Sequence, residues 1–198
     1  MDNKIEKQKI GIDIDDVIAY FMKHFIDYSN KKNGTSFKVD EISNYNLWET
    51  EIHPSKEHSV GEVLEFQNST HFDNIGLVEG VKEAIEKLSK IYDIHFVTSR
   101  PQQIKEKTDK FLNKHFPENN FNVIYSGEIH GGKSKSDICS DFEIPLMIED
   151  NPFYALDCAS KGVRVFLIDK PWNKNHEPHD NIIKVNDWNE ILNHLESK

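Results

Sequence analysis

Cysteine is nearly absent from this chain. Its two examples, Cys139 and Cys158, are too few and too far apart in sequence to suggest a disulfide framework or a zinc site. Positive charge is also in short supply: 24 Lys and Arg stand against 34 Asp and Glu, a formal net charge of −10. That balance argues against a nucleic-acid polymer or an anionic membrane surface as partner. It leaves room for one small phosphate, bound in a locally positive pocket or through a metal. No apolar run approaches membrane-spanning length, and residues 1–8 lack the apolar region of a signal peptide. A reducing, cytoplasmic setting is expected. Repeats and low-complexity linkers are missing as well. With 37% hydrophobic and 29% charged residues, 198 residues suit one full core with room for a small insertion.

What the chain does have is Lys9-Ile10-Gly11-Ile12-Asp13-Ile14-Asp15-Asp16-Val17. Lys9 to Ile12 read as a short apolar strand running into three acids, at the strand end where α/β sheets bind ligands. Asp13 and Asp15 are two apart, so in an extended backbone they share a face. Close carboxylates repel unless one is protonated or a cation sits between them. The plainer reading is a polar strand end in which Asp16 or Asp15 caps the next helix. On this stretch alone the two readings are evenly matched.

The rest of the chain alternates. A helix with one broad apolar face is expected over 17–32, stopped by Asn33-Gly34. Residues 40–70 scatter Ile42, Tyr45, Leu47, Trp48, Val60, Val63, Leu64 and Phe66 among acids and a His53-Pro54 break, which suits short helices and loops. From Gly76 the pattern is regular: helices over 81–90, 104–115, 135–142 and 155–161 lie between strands over 94–97, 121–125, 145–148 and 163–168. A last strand is expected over 182–185, with Asp187 capping a closing helix over 188–195. Strands alternating with helices mean an α/β fold, a Rossmann-like three-layer parallel sheet with a small helical insertion after the first strand.

Three strands end in polar clusters: Asp13/Asp15, Thr98/Ser99 and Glu149/Asp150. In an open parallel sheet these ends lie side by side. Alone, the carboxylates would repel; with Mg²⁺, a hard cation that takes oxygen ligands, they become a binding site. Thr98 and Ser99 offer hydroxyl and amide donors to phosphate oxygens, and a lysine from the 133–135 region offers positive charge. A rival motif occupies the same region: Gly127-Glu128-Ile129-His130-Gly131-Gly132-Lys133-Ser134 matches a phosphate-cradling P-loop. Too little chain follows it for such a domain, and it leaves Asp13, Asp15 and Thr98 without a role.

At these residues the chain resembles the haloacid-dehalogenase (HAD) superfamily of phosphatases. The superfamily's motifs appear in order as Asp13-Ile14-Asp15-Asp16-Val17, Val97-Thr98-Ser99, a lysine, and Ile148-Glu149-Asp150. The resemblance covers essentially the whole chain. It implies a core of residues 1–18 and 76–198, with 19–75 in the slot of a small helical cap. Within the superfamily the chain is most similar to the 5'(3')-deoxyribonucleotidase group, which shares the Thr-Ser pair and the ending Glu149-Asp150-Asn151-Pro152. Asp16 departs from the pattern, since many members have glycine there. Glu149 also departs, since that group often has aspartate.

The resemblance implies roles for individual residues. Asp13 would be the nucleophile and Asp15 the general acid and base. Thr98 would serve catalysis, and Lys135 would offset like charges at the transferring phosphoryl group. Mg²⁺ would be held by Asp13, the backbone carbonyl of Asp15, and Asp150, with Glu149 further out. Lys133 competes with Lys135, which is preferred because it opens the helix leading to Glu149-Asp150. Ser99 and Arg100 are candidate substrate contacts, the alternative for Arg100 being a pair with a surface acid. Phe25 and Trp48, with Phe21 and Tyr45, are candidates for stacking on a base, the alternative being core packing. His176 and His179 flank Glu177-Pro178 as a weaker metal candidate, more naturally a solvated loop. The expected activity is hydrolysis of a small phosphate monoester, best of all a (deoxy)nucleoside 5'-monophosphate. A sugar-phosphate phosphatase and a non-catalytic module of the same fold are the alternatives.

Overall fold

The computed structural model describes residues 7–119, 121–126 and 132–196. Gly127 to Gly131 of the P-loop-like stretch therefore lie outside the described residues. Strands β1 (Gln8–Ile12), β2 (Tyr92–Thr98), β3 (Asn122–Tyr125), β4 (Leu146–Glu149), β5 (Arg164–Ile168) and β6 (Ile182–Val185) form one sheet in the order β3-β2-β1-β4-β5-β6. Every pairing is parallel. The chain steps outward from β1 to β3, then restarts at β4 on the other side of β1. That reversal opens a crevice at the carboxyl ends of β1 and β4, where sheets of this kind bind ligands.

Alternate residues of each strand bury against opposite layers. Ile94 and Phe96 of β2, Ile148 of β4 and Phe166 of β5 share one core with Ala84 and Leu88 of α3 (Val81–Ile91), Leu112 of α4 (Lys105–His115) and Ile191 of α7 (Trp188–Glu196). Val97, Met147, Val165 and Leu167 point the other way, onto Ile138 of α5 (Lys135–Asp141) and Ala155 of α6 (Pro152–Ser160). Strands covered on both faces read as unbroken apolar runs, which is why they were visible in the sequence. At Gly11 a Cβ would lie 2.6 Å from Met147 Sδ, so glycine lets β1 and β4 sit beside that side chain. Cys139 and Cys158, far apart in sequence, are both buried and free in this second core. No described helix is long and apolar enough to cross a membrane.

Between β1 and β2 the chain leaves the sheet as α1 (Phe21–Asn33) and α2 (Lys56–Asn68), joined by short 3-10 turns. Its two ends are tied together: Ala19 pairs antiparallel with Leu77, Tyr20 donates its N–H to the Gly76 carbonyl at 2.9 Å, and Val78 donates to Ile18 at 2.9 Å. The helix expected from Val17 begins only at Phe21. The cause is a tight turn, in which the Ile18 and Ala19 amides both donate to the Ile14 carbonyl and Asp16 donates to Ala19. Asp16 there has φ +57°, a left-handed conformation that glycine adopts freely and Asp tolerates among L-residues. The stops foreseen at Gly34 and Gly162 hold, both with positive φ. Asp187 caps the last helix as expected, accepting from the Glu190 amide at 3.0 Å.

Candidate active site

β1 ends at Ile12, and the Asp13 amide still donates to the Ile148 carbonyl at 3.0 Å, so Asp13 is held at the crevice by the sheet itself. Asp13 is 5% exposed. Lys135, 1% exposed at the first residue of α5, donates to Asp13 Oδ1 at 2.5 Å and to Glu149 Oε2 at 2.8 Å. α5 can point it there because Ser134 caps the helix, accepting from the Asp137 amide at 3.1 Å. Lys133 faces outward and pairs with Asp141, so of the two lysines Lys135 is the one that reaches the buried acids. Burial first, then the charges of Glu149 and Asp15, raise the Asp13 carboxyl to about 8 against the opposing pull of Lys135. For Lys135 burial opposes the charge, but Asp13 and Glu149 outweigh it and hold the ammonium above its usual range. The lysine and carboxylates thus depend on each other for burial.

Asp15 turns another way from Asp13, because the extended alternation ends with β1. Arg100 grips it: Nε lies 3.1 Å from both carboxylate oxygens and NH2 lies 2.7 Å from Oδ1. The guanidinium is buried between the rings of Phe72 and Phe111, 4.9 and 5.9 Å from their centroids, and also donates to Thr108 Oγ1 at 3.2 Å. Arg100 therefore pairs with a motif acid, neither with a surface acid nor with its fork free for substrate. Thr98 Oγ1 accepts from the Arg100 amide at 3.1 Å, and Ser99 Oγ from Ser126 at 3.3 Å.

Asp150 completes the cluster. Its Oδ2 accepts from Trp172 Nε1 at 2.9 Å, and its carbonyl from Asn173 Nδ2 at 2.7 Å. Burial first, then the charges of Glu149, Asp16 and Asp13, push its carboxyl well up. One oxygen from each of Asp13, Glu149 and Asp150 lies within 4.8 Å of the others, all three buried. Three acids against one lysine leave negative charge in a dry site, and every donor is a hard oxygen. This set fits Mg²⁺. Glu149 has one oxygen on Lys135 and the other on the amides of Asp150 and Asn151, at 3.3 and 3.1 Å. Asp15 contributes no carboxylate oxygen to this set. Trp172 and Asn173 were not foreseen; a Pro-Trp-Asn run just after a strand was their only trace in the sequence. His176 and His179 make local contacts, to the Asn173 carbonyl and from the Asn181 amide, and form no cluster among the described residues.

Beside this cluster a cavity of about 550 Å³ opens under α1 and α2. Asp15, Ser99, Arg100 and Asn151 line it together with Phe21, Phe25, Tyr45 and Trp48. Phe25 is fully buried and packs on Phe21, Phe66 and His53, so it backs the wall. Trp48 is partly exposed, with the Lys56 ammonium 5.4 Å from its ring. Burial, then the charges of Asp150, Tyr154, Asp13 and Asp15, raise the Tyr45 hydroxyl well above its usual range, so that phenol borders the acid cluster. Phe153, unforeseen and 55% exposed, stands at the cavity's edge.

The family model of the 5' nucleotidase, deoxy (pyrimidine), cytosolic type C proteins matches residues 7–197. The chain belongs to that family. A nucleotidase of Clostridium acetobutylicum is 30% identical over 189 residues, covering 94% of this chain and 93% of the relative. Among solved structures, a haloacid-dehalogenase-like hydrolase of Streptococcus pneumoniae superposes with TM-score 0.69 at 17% identity, covering 96% of this chain and 98% of the other. A HAD hydrolase of Bacillus subtilis, described as bound to magnesium, gives TM-score 0.66 at 15% identity, covering 96% and 99%. These two share the fold. The family is one of phosphoric monoester hydrolases in the HAD superfamily, and the motif residues quoted from the sequence are those gathered at the crevice. Its Asp16, where many HAD members have glycine, accepts from the Met22 amide with both oxygens, at 3.1 and 3.0 Å. Asp16 thus takes the conformation of a glycine and caps α1, which Tyr20 at the N-cap leaves uncapped. The capping reading holds for Asp16, while Asp13 and Asp15 stand at the crevice.

Proposed function

We propose that this protein is a Mg²⁺-dependent 5'-nucleotidase that hydrolyses (deoxy)nucleoside 5'-monophosphates through an aspartyl-phosphate on Asp13. The observation that carries the reading is a buried carboxylate tethered to a buried lysine, Asp13 to Lys135 at 2.5 Å, beside a cavity of about 550 Å³ walled by aromatic rings. That volume is within the range of small-molecule sites. Residues 19–75 act as the cap, and the cavity beneath it takes the nucleoside. Asp13 and Asp150, with the Asp15 carbonyl, would hold the ion, which supplies positive charge to the phosphate oxygens when bound. Glu149 holds Lys135.

In the first half-reaction an Asp13 oxygen forms a bond to phosphorus as the ester P–O bond breaks. Asp15, oriented by Arg100, gives the departing 5'-oxygen its proton. In the second, Asp15 takes a proton from water, whose oxygen attacks phosphorus and releases phosphate and Asp13. Thr98 and Ser99 donate to the phosphate oxygens, and Lys135 balances charge on the transferring group. The setting is cytoplasmic, in keeping with the acidic composition and free cysteines.

Phosphate release from nucleoside monophosphates, sugar phosphates and 4-nitrophenyl phosphate tests this. Release from the nucleotides should exceed the others, stop on chelation, return with Mg²⁺ and return poorly with Ca²⁺, which favours more ligands at longer distances. Preference for a sugar phosphate would move the substrate to that class, and no release from any of them would leave a binding module.

A further inference from the structure

A second cluster lies in the helical insertion, away from the acid crevice. His53 is 2% exposed and Glu62 is 2% exposed, both in the interior between α1 and α2. His58 and Glu62 stand one turn apart on α2, which puts them on the same face. The chain presents His53 to that face rigidly: Pro54 follows it, and Ser55 caps α2 by accepting from the His58 amide at 3.2 Å. His53 Nε2 lies 2.6 Å from Glu62 Oε2, His58 Nε2 lies 3.8 Å from the same oxygen, and the two imidazole centroids are 5.3 Å apart. One donor atom from each residue falls within 4.8 Å of the others.

Both ring nitrogens of His53 are buried; Nε2 faces Glu62, and Nδ1 has no hydrogen-bond partner. A buried ring nitrogen with no partner is costly and calls for an explanation. Glu62 is differently placed. Ser29 Oγ donates to its Oε2 at 3.1 Å and Asn33 Nδ2 to its Oε1 at 2.9 Å, so the carboxylate is oriented from α1 before any ligand arrives. Phe25 meets the His53 ring at 5.8 Å and supplies an apolar wall. A carboxylate held by outer partners beside a dry flank is an arrangement that orients a metal ligand.

We propose that His53, His58 and Glu62 form a site for one divalent transition-metal ion of the Zn²⁺ class. Two imidazoles and a carboxylate are a ligand set for Zn²⁺, whereas Mg²⁺ prefers oxygen alone. Ligands about 2.1 Å from a tetrahedral ion lie about 3.4 Å apart, so the His53–Glu62 contact must open by about 0.8 Å. His58, whose side chain is 44% exposed, gives the ion an entry path and leaves a fourth position facing solvent. Filling the site would pin the 53–55 segment to α2, whose Ser59, Val60 and Val63 line the cavity.

The test is titration of the chelator-stripped whole protein with Zn²⁺, and with Co²⁺ as a visible probe, in excess Mg²⁺ to occupy the acid crevice. The wild type should bind one equivalent, show the d–d band of a low-coordinate Co²⁺ with nitrogen ligands, and melt at a higher Tm with Zn²⁺. His58→Ala, at a half-exposed position that the fold tolerates, should weaken binding by more than about 100-fold, since even outer partners cost 10- to 100-fold. His71→Ala, which removes an exposed imidazole outside the cluster, should change nothing. No bound equivalent, an equivalent kept by His58→Ala, or one displaced by Mg²⁺ would each overturn the site and leave His53–Glu62 as a structural ion pair. None of these readouts depends on phosphatase activity.

Discussion

Asp13 is a carboxylate whose neighbours, Lys135 apart, all disfavour its charge. Asp13→Asn removes both the proposed nucleophile and a proposed metal oxygen while keeping the shape of the side chain. Turnover should fall to background, with the far-ultraviolet spectrum and cooperative melting retained. Near-wild-type turnover would sink the nucleophile assignment. Arg100 offers a different test, because Asp15 rests on the geometry of a planar fork. Lysine carries the charge but only one donor point, and it cannot stack between Phe72 and Phe111 in the same way. Arg100→Lys should therefore lower kcat more than it raises KM, as Asp15 loses its orientation. Arg100→Met should do the same and also cost about 3 kcal/mol of stability by leaving a largely buried carboxylate unpaired. Denaturant melts and steady-state kinetics on the same variants separate the two effects; unchanged kcat in both would show that Asp15 needs no orientation.

At the scale of elements, α1 depends on a residue that precedes it by a turn of irregular chain. Asp16→Asn keeps an oxygen for the Met22 amide and tolerates positive φ, so stability should change little. Asp16→Gly suits the backbone and loses the cap, and Asp16→Ala loses both. The expected order of stability is Asn, then Gly, then Ala, with Ala down by about 1–2 kcal/mol. Equal melts for all three would mean that the cap carries no weight. The strands were legible because a parallel sheet buried on both faces needs continuous apolar runs. Most helices were legible because a cap or a glycine stop marks their ends. The start of α1 was not, since the Ile14–Ala19 turn is made by backbone hydrogen bonds with no side-chain signature. The site divides in the same way. Asp13, Lys135 and Asp150 could be read because each stands at the end of a strand or the start of a helix, so topology alone brings them together. The Arg100–Asp15 pair and the Trp172 contact are side-chain directions across 85 and 22 residues, which spacing does not encode. The His53–Glu62 contact likewise depends on how α1 and α2 pack.

At the scale of the whole molecule, a chain of net charge −10 has to bind a phosphate dianion. It does so only if positive charge is concentrated where the phosphate sits, which the crevice arranges through Lys135 and, in the reading proposed here, Mg²⁺. In that reading those groups see the phosphate and nothing beyond it, and discrimination among phosphate esters falls to the insertion. Trp48 is the aromatic of the insertion best placed for this, partly exposed on the cavity wall, while Phe25 is committed to packing with Phe66 and His53. A base stacked on one ring gains roughly 1–3 kcal/mol. Trp48→Ala should therefore cut kcat/KM for nucleoside monophosphates by about ten- to hundredfold. 4-Nitrophenyl phosphate, which carries no nucleoside base, should lose much less. Phe25→Ala should behave otherwise, lowering stability by about 3–5 kcal/mol as a cavity opens in the packing of α1 and α2, with both substrates losing activity together. If Trp48→Ala also lowers the two substrates equally and lowers Tm, the ring is part of the insertion's own core, and recognition of the base must come from another part of the cavity wall.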